Sequence, residues 1–249
     1  MAPFVFSRFS GRGVTNRGFE NQQPVVYVMQ GSTGKLKCVI FDMDGTLTQT
    51  NRLIFDAFNF IALRYEGKKY TEAEITAMFG PPEEGALIGI VGRERIEKVM
   101  KEYLEFYRTN HNELAQLYPG IRDVVSDLKT RGVHVALFTG KGIDTTTITM
   151  EKFGLTPYFD YIVTGSDVVN HKPSGEGIQK IIIHFGLQPD EVLMVGDSVA
   201  DVKASHGAGV KIAAVLWDSY SREKVLQMTT DYVFHNVKEF SEWLKGQFD

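Results

Sequence analysis

From Lys37 onward the chain alternates between two textures. Short apolar runs at residues 38–41, 133–138, 161–163, 192–195 and 212–216 are too brief for helices, and they lack the polar alternation of a half-exposed strand. They predict strands buried on both faces. Amphipathic stretches lie between them, at residues 121–130, 143–153, 177–185 and 201–206, each followed by a glycine (Gly132, Gly154, Gly186, Gly207) of the kind that ends helices. Strand alternating with helix predicts an α/β fold with a doubly wound, mostly parallel sheet and helices on both faces. Residues 232–234 read as a sheet edge, followed by an amphipathic last helix.

One segment breaks this rhythm. Residues 53–117 carry helical patterns at 53–65, 71–79 and 93–108 and no strand, with Pro81, Pro82 and Gly85 separating them. A helical stretch inserted directly after the first strand reads either as a lid over a site or as extra packing on the sheet, and its position beside acidic strand-end residues favours the lid. The expected organisation is an N-terminal extension at residues 1–36, an α/β core at 37–50 and 118–249, and a helical cap at 51–117.

Composition narrows the picture. The 249 residues are 43% hydrophobic and 23% charged, an ordinary globular mixture, and the net charge of −4 argues against a general nucleic-acid binder. The single cysteine, Cys38, excludes an internal disulfide framework and a cysteine-rich zinc site; on a strand it reads as a small buried hydrophobe. No apolar run reaches the ~20 residues that span a bilayer. The expected setting is the cytoplasm, with no membrane partner. The first 36 residues stand apart: Arg8, Arg12, Arg17 and Lys35 face only Glu20, a charge of +3, which leaves −7 for the rest. Such an arginine-rich, acid-poor start also occurs in organelle transit peptides, and the plainer expectation is a poorly ordered tail or one extra strand at 25–28.

Four places offer chemistry. Asp42 ends the first strand and Asp44 follows in a turn opened by Gly45; paired carboxylates there call for a cation or a shared proton. Asp197 and Asp201 end another buried run, four apart, so that a helix beginning there would put them on one face. Together the four aspartates suit Mg²⁺, which takes oxygen ligands and keeps waters. Helix caps and Asx-turns would use the same residues. Thr139 and Gly140 end a third strand, where a hydroxyl and free amides suit a phosphate oxygen. Lys172, followed by Pro173, would offset the acids and grip an anion.

In order along the chain, Asp-x-Asp-Gly-Thr (Asp42 to Thr46), a strand-ending Thr139, Lys172, and a Gly-Asp-Ser run closed by a second aspartate (Gly196 to Asp201, with three residues between Asp197 and Asp201) make the sequence resemble the haloacid-dehalogenase-like superfamily of phosphotransferases over about residues 37–216. The helical insert resembles the family's small cap. Gln49 stands where many relatives carry an acid, and Ser174-Gly175 follow Lys172-Pro173 where many read x-Pro.

The resemblance implies covalent phosphoryl transfer: Asp42 as nucleophile, Asp44 as acid and base, Mg²⁺ on Asp42, the Asp44 carbonyl, Asp197 and Asp201, and Thr139, Gly140 and Lys172 on the phosphoryl oxygens. The implied partner is a small phosphorylated metabolite. Asp44 argues against the dehalogenases. The segment around Thr139 and the cap size are closer to phosphoglycolate phosphatases and pyrophosphatases than to sugar phosphomutases. Lys68, Lys69, Arg93 and Arg95 are cap candidates for anion contacts, and His171 for positioning Lys172. A remote alternative is a serine esterase, since Gly196-Asp197-Ser198-Val199-Ala200 nearly fits a nucleophile elbow, with Asp218 and His235 following in triad order. A non-catalytic binding module on the same fold is the other.

Overall fold

A computed structural model describes residues 35–248 of the chain. The expected strand at 25–28 lies outside the described residues. Chain order is β1 (Cys38–Phe41), β2 (Thr48–Gln49), α1 (Asn51–Glu66), α2 (Glu72–Thr76), α3 (Glu83–Val91), α4 (Ile96–Leu114), β3 (Gln116–Leu117), α5 (Ile121–Thr130), β4 (His134–Phe138), α6 (Ile143–Lys152), β5 (Tyr161–Val163), α7 (Glu176–Phe185), β6 (Val192–Gly196), α8 (Val199–Ala208), β7 (Lys211–Val215), α9 (Arg222–Leu226), β8 (Tyr232–Phe234) and α10 (Val237–Lys245).

Among the described residues, six strands form one sheet in the order β5–β4–β1–β6–β7–β8, and every neighbouring pair is parallel. Side chains alternate between two cores. Val39 and Phe41 of β1, Val135 and Leu137 of β4, and Leu193 and Val195 of β6 face α5 and α10. Cys38, Ile40, Ala136, Phe138 and Met194 face α7 and α8. Both faces are covered, which is why these strands read as unbroken apolar runs. The chain leaves β1 towards β4 and β5 on one side, then returns to β6, β7 and β8 on the other. Where the winding reverses, the space beyond the strand carboxyl ends is left open, and open α/β sheets bind ligands there.

Helices α1 to α4 pack around a third core of their own, with Leu53, Phe58, Ile61, Leu87, Tyr103 and Tyr107 in it, and this core also takes in Ile148 of α6. No helix among the described residues is long and apolar enough to cross a membrane. The structure differs from the sequence pattern in three places. The prolines at 81 and 82 start a helix rather than merely separating two: Pro82 is the residue before α3, where a missing N–H costs nothing. Helix α8 runs through Gly207 and ends at Gly209, which carries the left-handed φ of +71°. The insert is bounded by a two-residue antiparallel ribbon, Thr48–Gln49 against Gln116–Leu117, too short to show an alternating pattern.

Candidate active site

Asp42 extends the ladder one residue beyond β1, its N–H donating to the Val195 carbonyl at 2.9 Å. The chain then turns tightly: the Gly45 amide donates to Thr48, and the amides of Leu47 and Thr48 return to Met43. Gly45 has φ +84°, and a Cβ there would stand 2.6 Å from the Asp197 carboxylate. Glycine is required both for the turn and for its approach to Asp197. The two aspartates of this turn have different partners. Asp42 Oδ1 accepts a hydrogen bond from Lys172 Nζ at 2.6 Å, whereas Asp44 accepts from the Thr50 hydroxyl and lies 3.4 Å from Lys141 Nζ.

At the end of β6, Gly196 gives room for Asp201, whose Cβ would be 2.5 Å from any Cβ at 196. Ser198 caps α8 reciprocally with Asp201: the Asp201 amide donates to Ser198 Oγ, and the Ser198 amide and hydroxyl donate to Asp201 Oδ2 at 3.0 and 2.6 Å. The other oxygen, Asp201 Oδ1, accepts from Lys172 at 2.6 Å. Thr46 Oγ1 reaches Asp197 Oδ1 at 3.4 Å, and Ser219 donates to the Asp197 carbonyl at 2.6 Å.

Asp42, Asp197 and Asp201 are all buried, and one carboxylate oxygen from each lies within 4.8 Å of the others. One ammonium, that of Lys172, stands between Asp42 and Asp201. The excess negative charge has a cost. Burial, partly offset by Lys172 and reinforced by Asp201, pushes the Asp42 carboxyl up to about 7. Burial together with Asp201 and Asp42 pushes Asp197 well above the usual carboxylate range. Burial would lower Lys172, but the two carboxylates override it and hold the ammonium above its ordinary value. An all-oxygen donor set with surplus negative charge fits a hard divalent cation.

Thr139 ends β4, buried, with its Oγ1 accepting from the Lys141 amide at 3.3 Å. Two further groups, Lys141 and Glu83, join the site beside the residues expected from the sequence. Lys141 is buried, 3.4 Å from Asp44 and 3.6 Å from Glu83. Burial opposes its charge, yet Asp44, Tyr107 and Glu83 hold it well above its ordinary value. Glu83 opens α3 in the helical insert and reaches the core: its Oε2 accepts from the Gly142 amide at 2.8 Å and its Oε1 from Thr145 Oγ1 at 2.6 Å. A carboxylate there neutralises the amino end of α6 from another part of the chain. The Thr139-Gly140-Lys141 run carried a signal for Lys141. Glu83 had none, because its partners are distant in sequence.

A cavity of about 470 Å³ is lined by all seven sequence-predicted residues, Asp42, Asp44, Thr139, Gly140, Lys172, Asp197 and Asp201, together with Lys141 and Glu83. The cap cations expected to meet anions do not line it. Lys68 pairs with Glu66 and Arg95 with Glu94 on the surface, and Lys69 and Arg93 are exposed, because the buried stripes of these helices are apolar. The esterase constellation is not assembled: Ser198 is committed to its cap, Asp218 accepts from the Tyr118 hydroxyl at 2.8 Å, and His235 Nδ1 lies against Arg222. Cys38 is buried with its thiol pushed up to about 12 by burial and by Asp160, which makes it inert. His171 is half-buried, and its Nδ1 has no hydrogen-bond partner.

Comparison with known proteins agrees with this arrangement. The family described as haloacid dehalogenase-like hydrolase matches residues 39–215. The chain is 31% identical over 205 residues to pyrophosphatase PpaX of Bacillus cereus, covering 82% of this chain and 94% of that protein. A β-phosphoglucomutase candidate from Thermotoga maritima aligns at 28% identity with a TM-score of 0.68, over 85% of this chain and 99% of the other. The fold is shared with a predicted phosphoglycolate phosphatase from Haemophilus somnus, at a TM-score of 0.74 and 22% identity, covering 86% and 99% of the two chains. With its strand-end acids gathered round a buried lysine and its matched region spanning most of its length, the chain belongs to the haloacid dehalogenase-like hydrolases.

Proposed function

We propose that the protein is a Mg²⁺-dependent phosphatase that hydrolyses a small phosphate monoester through an aspartyl-phosphate on Asp42. The observation that carries this reading is the buried Asp42, Asp197 and Asp201 cluster, with carboxylate oxygens within 4.8 Å of one another and Lys172 between two of them. Asp42 Oδ attacks phosphorus. Asp44, on the other arm of the turn, gives its proton to the departing alkoxide and later takes one from the water that opens the acyl-phosphate. Its carboxylate is kept in place for both tasks by the Thr50 hydroxyl and Lys141.

Asp42, Asp197 and the Asp44 carbonyl would hold the metal. Asp201, with both oxygens engaged by Lys172 and Ser198, would reach it through water. When bound, Mg²⁺ supplies charge that lets an anionic nucleophile approach an anionic phosphoryl group. Thr139, the Gly140 amide and Lys172 take the non-bridging oxygens as charge spreads over them. The helical insert at 51–117 acts as the cap, with Glu83 as its tie to the core. A pyrophosphatase and a sugar phosphomutase would use the same centre and differ only in leaving group or acceptor.

The test is hydrolysis of 4-nitrophenyl phosphate by the full chain with Mg²⁺ and after chelation. The expected result is turnover that is lost with chelator and restored by added Mg²⁺. Equal rates in both conditions would overturn the metal requirement, and no turnover in either would overturn the phosphatase reading.

A further inference from the structure

The cavity has two unlike walls. The wall at the strand ends holds every group assigned above to the phosphoryl unit. The wall opposite, from the helical insert and the loop after β7, presents Ile54, Phe58, Met78, Phe79, Pro81 and Tyr220. Two of these are large apolar side chains left open to solvent: Phe79 is 43% and Tyr220 56% exposed. Both lean on Phe55, which stacks with Phe79 at 6.4 Å between ring centres and meets Tyr220 edge-on at 5.7 Å. Exposed aromatic rings held in position at the mouth of a pocket are suited to receiving another flat apolar group.

Five acidic and three lysine side chains also line the cavity. Two of the lysines, Lys141 and Lys172, are buried in ion pairs with carboxylates. The third, Lys224, is exposed and follows Tyr220 closely in the chain. The charged groups are thus held mainly at the strand ends, and the aromatic pair of Phe79 and Tyr220 is the feature that sets the rest of the lining apart.

Resting on the phosphatase reading above, we propose that the substrate is a phosphate monoester whose leaving alcohol carries an uncharged aromatic ring, and that Phe79 and Tyr220 bind this ring. Chemically the step is ordinary hydrolysis: the P–O bond to the alcohol breaks, water supplies the new oxygen, and the alcohol leaves with a proton.

The experiment measures kcat/KM of the full chain with excess Mg²⁺ on 2-phenylethyl phosphate, ethyl phosphate, phosphoglycolate and pyrophosphate. The first two have alkyl leaving groups of similar intrinsic reactivity and differ by the ring. The expected result is about a tenfold to hundredfold preference for 2-phenylethyl phosphate over ethyl phosphate, the effect that burying one ring supplies. Phosphoglycolate and pyrophosphate, which lack the ring, should fall below 2-phenylethyl phosphate. In Phe79→Ala and Tyr220→Ala the loss, carried by KM, should be about tenfold greater for 2-phenylethyl phosphate than for ethyl phosphate. Equal losses on the two esters, or phosphoglycolate or pyrophosphate ranking first, would overturn the substrate class while leaving the phosphatase intact. No turnover of any of the four would overturn the phosphatase reading and the substrate class with it.

Discussion

The strand-end side of the molecule and its helical insert bury different things. At the ends of β1, β4 and β6 and the loop before α7, the core buries Asp42, Lys141, Lys172, Asp197 and Asp201 within one cavity. The insert buries Leu53, Phe58, Ile61, Tyr103 and Tyr107, and among its described residues the one buried ionisable carboxylate is Glu83, which is turned towards the core. Charge in a buried site costs folding free energy unless it is paired, so a fold retains it where chemistry requires it. On the proposed function the contrast divides the labour: the core would supply reacting and neutralising groups, and the insert the surface that selects what enters.

The strongest way to break that division is on the core side. Asp42→Asn is expected to lower kcat by about 10⁴-fold or more, as loss of a covalent nucleophile does, with the fold retained because the amide fills the same space and Lys172 keeps Asp201. Steady-state kinetics with a thermal melt checks both parts. Activity near the parent value would show that the core acid is not the reacting group.

Lys172→Met comes next. It strands Asp42 and Asp201 without their shared cation, and a stability loss of about 3–5 kcal/mol is expected in chemical denaturation of the metal-free protein. Saturating Mg²⁺ should restore part of it. A loss of a few tenths would mean that the lysine is not holding the acidic cluster together.

Glu83→Ala tests the tie between the two regions, with a smaller effect. The Gly142 amide and Thr145 hydroxyl lose their acceptor, at a cost of about 1–3 kcal/mol. Because Lys141 also loses one of its carboxylates, kcat should fall together with stability, while Glu83→Gln, which keeps an acceptor for the amide, should recover most of the stability. An unchanged melt for Glu83→Ala would show that Glu83 is not a tie between the insert and the core.

A further effect is in pH. With the Asp42 carboxyl raised from an unfolded value near 4 to about 7, the metal-free native state binds the extra proton, so this group's contribution to stability is complete below about pH 4 and is lost as pH rises through 7. Mg²⁺ requires the ionised form and opposes this loss. The upward shift in melting temperature on adding Mg²⁺ should therefore be larger at pH 8 than at pH 5. A shift that is the same at both values would contradict the charge balance assigned to the cluster.

The core was legible in the sequence for a physical reason. Strands covered on both faces cannot hide polar residues, so an aspartate or threonine closing an apolar run, as at Asp42, Thr139 and Asp197, marks the strand end where a ligand sits. The insert was less legible. Helices α1 and α4 have the period of half-buried helices, but α3 follows two prolines and contains Gly85 and Gly89, which mask it from any reading based on local propensity. The Glu83 contacts with Lys141, Gly142 and Thr145 join segments about 60 residues apart, and no local pattern announces them. Lys141 directly follows Thr139 and Gly140, yet only packing reveals that it is buried against Asp44.

The central claim is that one carboxyl oxygen of Asp42 becomes transiently phosphorylated. Rapid acid quench of the full chain turning over a phosphate ester with Mg²⁺, followed by peptide mass mapping, addresses it directly. The account predicts one added phosphoryl group on the peptide containing Asp42, absent in Asp42→Asn. A phosphoryl group on Ser198 or another side chain, with Asp42 unmodified during turnover, would contradict it.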